Sequence, residues 1–155
     1  MEVLLFEPEI PQNTGNIGRL CVNAGVSLGI IGNPSFSLEE KAVRRAGLDY
    51  WKELEFRKYA DWEDFLATQT TLNPQRIFLV SKFGRVDYAK LRYLPSDRLV
   101  FGRETKGLPK EILEDPRCFE TIHIPMAENS RSINLSNAVA IVLFEALRQM
   151  RIEQK

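Results

Sequence analysis

Histidine is almost missing from this sequence. His123, inside the apolar run TIHIPM, is the only one, which excludes a His-rich metal site; a Ser-His-Asp or Cys-His set would need its ring to point out of a buried strand and is not expected. A histidine in such a run is expected to sit in a strand with its ring satisfied. Cysteine is nearly as scarce. Cys21 and Cys118 fit no metal-ligand spacing, and MEVLLFEPEI lacks the basic start and cleavage region of an export signal, so both are expected to be reduced thiols of a cytoplasmic protein. No apolar run approaches the length that spans a bilayer, and no membrane partner is expected. Net charge is absent too, because 21 Lys and Arg balance 21 Asp and Glu. Without a global basic field, a nucleic-acid partner would need a local patch such as Lys41, Arg44 and Arg45, or Lys82 and Arg85. The nucleotide fingerprints are missing as well: there is no G-x-G-x-x-G after the first apolar run and no G-x-x-x-x-G-K-[ST] anywhere.

What remains is a globular composition, 44% hydrophobic and 27% charged, over 155 residues without repeat or linker. That reads as a single domain, 1–155. Strand-like runs at 2–6, 27–31, 54–59, 76–80, 98–102 and 121–125 alternate with helical spacing. One helix is expected from about Asn16 to a cap at Gly25, and another from the Ser37/Glu40 capping box toward Gly47. Asp61 should cap a third through Leu66; a short one follows Pro109, and the last begins near Asn134. Alternation of this kind predicts an α/β fold, a mostly parallel sheet with helices on both faces. The last helix is unusual. Ala138 to Phe144 is apolar without a break, so the helix needs cover on more than one side, as a central core helix has or as a partner could supply.

Three loops rich in Gly, Asn, Ser and Pro follow strand ends, where open α/β folds bind ligands. They carry NTGNIGRLCVNAG (with Asn13 and Arg19), FGRETKGLP (with Gly102, Glu104 and Gly107) and IPMAENSRSINLSNAVAIVLFEA (with Ser132, Asn134 and Ser136). Taken together and in this order, these motifs resemble those of the SPOUT superfamily of RNA methyltransferases. The stretch RRAGLDYW is similar to its TrmL (YibK-like) group, which methylates the wobble ribose of tRNA. The resemblance covers essentially the whole chain.

The resemblance implies several things that spacing alone does not. The fold would be a SPOUT α/β knot, with a deep C-terminal trefoil knot. S-adenosylmethionine would bind in the knotted loops, leaving S-adenosylhomocysteine after transfer, with no metal. The protein would be a homodimer whose active site is completed across the subunit interface, and tRNA would be the substrate. Matched residue by residue, Arg19, Asn13, Glu104 and Asn134 carry the reaction, and Val80, Gly102, Ile124 and Ser132 contact the cofactor. Arg19 would orient the reacting ribose and stabilise charge, since a guanidinium is a poor base. Glu104 would orient Arg19 or Asn134, Gly102 would let backbone approach the ligand, and Ser136 would cap the last helix. Two positions depart from the family pattern: Phe144 stands where a tyrosine is common, and Gln12 where a proline is. The alternatives are a ribose methyltransferase of the same fold acting on another RNA, a non-catalytic dimeric RNA-binding protein, and a flavodoxin-like small-molecule binder.

Overall fold

In a computed structural model the chain is described at residues 1–38, 50–69 and 75–153. The first apolar run forms β1 (Glu2–Phe6), buried along its whole length, and pairs in parallel on both sides. A strand buried on both faces needs helices above and below, and the alternation of side chains shows both layers. Val3 and Leu5 point into one cluster with Ile17 and Cys21 of α1 (Pro11–Ala24) and Val139, Val142, Leu143 and Ala146 of the C-terminal helix. Leu4 and Phe6 point into the other, with Phe65 and Leu66 of α2 (Trp62–Ala67) and Ile112 of α3 (Lys110–Leu113).

The remaining strands are β2 (Ser27–Ile31), β3 (Phe56–Tyr59), β4 (Ile77–Val80), β5 (Val86–Asp87), β6 (Arg98–Phe101) and β7 (Glu120–His123). They lie in the order β3-β2-β1-β6-β4-β7-β5, and every pairing between these strands is parallel. The α/β sheet with helices on both faces is therefore as expected, with β3 at one edge. The order reverses direction between β1 and β6, which places a crevice beyond the carboxyl ends of the central strands.

Three local expectations are corrected. Helix α1 begins at Pro11, not near Asn16: proline serves as its first helical residue, and the small residues Asn13, Thr14 and Gly15 are buried within it. Their weak helix propensity hid this turn, which tertiary packing supplies. The two-residue β5 and the 3₁₀ turn Tyr88–Lys90 were not foreseen, being too short for periodicity to show. His123 ends β7, but its Nδ1 is buried without a hydrogen-bond partner among the described residues, so the expected satisfied ring is not found. Gly25 closes α1 in the left-handed conformation and Asp61 caps α2, both as read from sequence. The helix predicted from Ser37 toward Gly47 lies largely outside the described residues.

The final helix, α4, spans Leu135–Glu153. Its apolar run resolves into two faces. Val139, Val142 and Leu143 are fully buried against α1 and the sheet, whereas Phe144 stays 44% exposed and Ile141 half-buried. Gln149 pins the helix to the segment before β6: it donates to the Leu91 carbonyl (2.9 Å) and accepts from the Tyr93 amide (3.1 Å). Among the described residues no helix is long and apolar enough to cross a membrane, and no group of three or more Cys, His, Asp or Glu could hold a metal ion.

Candidate active site

The loops that follow β1, β4, β6 and β7 meet around a cavity of about 520 Å³. Its size and mixture of apolar and polar walls suit a ligand of nucleoside dimensions. Val80 at the end of β4, Gly102 after β6, Ile124 after β7 and Ser132 before α4 all line it, as do Asn13, Glu104 and Asn134. Seven of the eight residues singled out by sequence thus come together, although Asn13 and Asn134 are 121 positions apart in the chain.

A chain of hydrogen bonds fixes the polar wall. The Glu104 carboxylate accepts from the backbone amides of Glu9 (2.7 Å) and Ile10 (3.1 Å) and from Asn13 Nδ2 (3.2 Å). Asn13 Oδ1 then accepts from Asn134 Nδ2 (3.1 Å). Asn134 Oδ1 in turn caps α4, accepting from the Ser136 amide (2.9 Å), the Ser136 hydroxyl (2.7 Å) and the Asn137 amide (3.4 Å). The direction is set at one end. A carboxylate can only accept, so Asn13 must turn its amide nitrogen toward Glu104 and its oxygen toward Asn134. Asn134 must then turn its own oxygen to the helix amides. One group therefore orients two amides and joins all three sequence motifs. The second N–H of each amide has no partner among the described residues.

Two expectations are revised here. Ser136 does not cap α4; its hydroxyl donates to the residue that does, Asn134. Glu104 meets neither Arg19 nor Asn134 directly but reaches Asn134 through Asn13.

The loop after β6 is strapped to the loop after β1 by further carboxylates that sequence reading did not single out. Arg103 forms an ion pair with Glu7, whose backbone adopts a positive φ of 42° as the chain leaves β1. A left-handed residue other than glycine is costly and clusters at built sites. Glu9 accepts from the Thr105 amide (2.9 Å) and hydroxyl (2.8 Å), and these bonds hold its carboxyl below the usual range. Nothing in the string EPE distinguishes such straps from ordinary surface charge. Gly102 has a second reason besides its place on the cavity: a Cβ there would lie 2.3 Å from the Gly107 carbonyl carbon and from the Leu108 nitrogen. The absent side chain makes room for the loop's own return, which shapes the cavity wall.

Arg19 is the exception. Six positions beyond Asn13, it projects about 120° around α1 and about 9 Å along it. It does not line the cavity; its guanidinium lies 5.0 Å from the centroid of the Tyr50 ring. The sequence-predicted catalytic arginine is therefore not brought to this chain's own cavity.

Known proteins resemble this chain in sequence and fold. The tRNA (cytidine(34)-2'-O)-methyltransferase of Escherichia coli K12 is 45% identical over 150 residues, covering 97% of this chain and 94% of that protein. A structure solved in work on 2-OH methylation of C/U34 on tRNA superposes with a TM-score of 0.90 at 37% identity, over 97% of this chain and 95% of the other. The SpoU methyltransferase AviRb of Streptomyces viridochromogenes, in complex with the cofactor AdoMet, gives a TM-score of 0.88 at 25% identity, over 99% of this chain and 61% of the other. Residues 1–144 match the SpoU rRNA Methylase family, and the chain belongs to it.

Proposed function

We propose that the protein is an S-adenosylmethionine-dependent tRNA 2′-O-methyltransferase acting on the ribose of the wobble nucleotide, cytidine or uridine 34. The relatives' activities support this reading, and the polar chain from Glu104 through Asn13 to Asn134 carries it. Residues 1–155 act as one cytoplasmic catalytic domain. Its C-terminal trefoil knot is supported by family membership and by the insertion of β7 between β4 and β5.

The cavity fits the cofactor on its own terms. Val80, Ile124 and Leu108 offer apolar walls, and the turn at Gly102 closes so tightly that only backbone occupies it. Backbone amides and carbonyls there suit an adenine edge, and the Ser132 hydroxyl adds a polar contact. When bound, S-adenosylmethionine supplies an electrophilic sulfonium methyl. The protein's part is alignment, since a ribose hydroxyl held in line with that methyl gains several kcal/mol of barrier lowering from orientation alone, ~7 or more at best. The uncommitted N–H groups of Asn13 and Asn134 act as fixed donors to oxygens of the ribose or its phosphate. Glu104 keeps them aimed.

The position of Arg19 enters the same reading. Its guanidinium serves the cavity of a second subunit, orienting the nucleotide and stabilising charge on the ribose oxygen as that oxygen takes the methyl and releases its proton to bulk water. A homodimer is supported further by the exposed flank of α4 around Phe144. Phenylalanine at that position offers apolar area and no hydroxyl. The deciding experiment is methyl transfer to total tRNA from a strain lacking the protein, followed by mapping of the modified nucleotide. Methylation at the wobble ribose is expected; modification elsewhere, or none, overturns the assignment.

A further inference from the structure

The ring at the mouth of the cavity has no role in the account above. Phe83 is 78% exposed, the most of any large apolar residue among those described, and it lines the entrance beside Ser81 and Lys82. The turn that carries it is fixed. Ser81 donates its amide to the Ile122 carbonyl (3.0 Å) and Arg85 to that of Thr121 (2.9 Å), so both ends are tied to β7. Inside the turn the Gly84 amide donates to the Ser81 carbonyl (2.9 Å), and the Phe83 amide to the Ser81 hydroxyl (3.2 Å). A Cβ at Gly84 would lie 2.2 Å from the carbonyl carbon of Ile122, so the turn already touches the strand. It has no room to settle further and cover the ring.

The surroundings of the ring narrow what it meets. The Lys82 ammonium stands 4.9 Å from its centroid, and Lys106 and Lys110 also line the cavity. Neither Lys82 nor Lys106 forms an ion pair among the described residues. A protein partner or an apolar ligand would call for a contiguous apolar patch, but the neighbours of Phe83 in the turn are Ser81, Lys82, Gly84 and Arg85. A rigid aromatic face flanked by ammonium groups matches single-stranded nucleic acid instead, whose bases stack on rings while phosphates meet lysines.

We propose that Phe83 positions the RNA substrate: its ring stacks on a nucleobase next to the methylated nucleotide, and Lys82 meets the adjoining phosphate. The inference rests on the methyltransferase reading. Stacking is made equally in the bound and transition states, so it acts on substrate affinity and not on the chemical step.

The test combines kinetics with fluorescence. Phe83→Ala and Phe83→Leu should each raise KM for tRNA by roughly five- to 150-fold, the range for losing one stacked base. Leucine keeps the bulk but has no π-face. In both, kcat should stay within about twofold and S-adenosylmethionine affinity, read by calorimetry, should be unchanged. Phe83→Trp should restore KM. Above the Trp51 and Trp62 background of the unsubstituted protein, its emission should be quenched by an anticodon stem-loop. An unchanged KM in the Ala and Leu variants, or Trp emission indifferent to the stem-loop, overturns the proposal. So does weakened cofactor binding, which would place the ring on the cofactor. If the unsubstituted protein methylates no tRNA, the functional reading fails by itself; the stem-loop titration of Phe83→Trp still decides whether the ring stacks on RNA.

Discussion

Replacing Glu104 by glutamine tests the directional chain of the cavity wall with the exchange of one oxygen for an NH₂ group. The carboxylate accepts Glu9 N–H on one oxygen, and Ile10 N–H together with Asn13 Nδ2 on the other. An amide has one acceptor. Whichever way it turns, at least one backbone N–H faces an NH₂ group and loses its bond. A hydrogen bond to a charged group contributes about 1.5–3 kcal/mol, and Glu104 is only partly buried, so about 2 kcal/mol is expected. For a chain of this length, each kcal/mol moves the midpoint by roughly 2–4 °C, so Tm should fall by about 4–8 °C. Scanning calorimetry at pH 7 reads this, at fixed protein concentration because the midpoint of the proposed dimer would depend on it. Isothermal calorimetry on the same samples should show weaker S-adenosylmethionine binding, since the strapped loop is the cavity wall. A Tm within about 1 °C of the unsubstituted protein, with cofactor affinity intact, would refute the reasoning.

Four further outcomes are expected. Arg19→Ala should leave S-adenosylmethionine affinity nearly intact and lower methyl transfer by about a hundredfold or more, with little rescue in Arg19→Lys if the planar fork matters. Mixing inactive Arg19→Ala subunits with inactive Asn134→Ala subunits should restore about a quarter of full activity: half the dimers are mixed and one of their two sites is complete. No recovery would show that Arg19 serves its own chain. Gly102→Ala should weaken S-adenosylmethionine binding tenfold or more by displacing the backbone of Gly107 and Leu108; unchanged affinity would mean the loop has slack. Burial pushes the thiols of Cys21 and Cys118 up to about 12, so at pH 8 only about one in 10⁴ is thiolate. Ellman's reagent should react slowly with the folded protein and rapidly in denaturant, and fast titration of either thiol in the native state would contradict this.

The alternation of apolar runs with helical spacing was enough to foretell the parallel sheet, because the central strands are short, buried on both faces and bounded by turns. It could not foretell β5, two residues long, nor the first turn of α1, where Asn13, Thr14 and Gly15 are held helical by burial against their intrinsic preference. The motifs led to seven residues of one cavity, since each lies at a strand end where the fold collects its loops. The bonds between them were not legible. That Glu104 turns Asn13, and Asn13 turns Asn134, depends on contacts across 91 and 121 positions that no local pattern records. The straps at Glu7 and Glu9 were hidden for the same reason. Apolar content along α4 pointed to cover on all sides, yet within one chain only the face of Val139, Val142 and Leu143 receives it.

The most direct test of the central reading is methyl transfer from labelled S-adenosylmethionine to two otherwise identical tRNAs, one with ribose and one with 2′-deoxyribose at the cytidine 34 position named for the relatives. Label should enter the first tRNA at that nucleotide and be absent from the second, with binding of the two alike. Equal labelling of both would place the methyl on another atom and contradict the account.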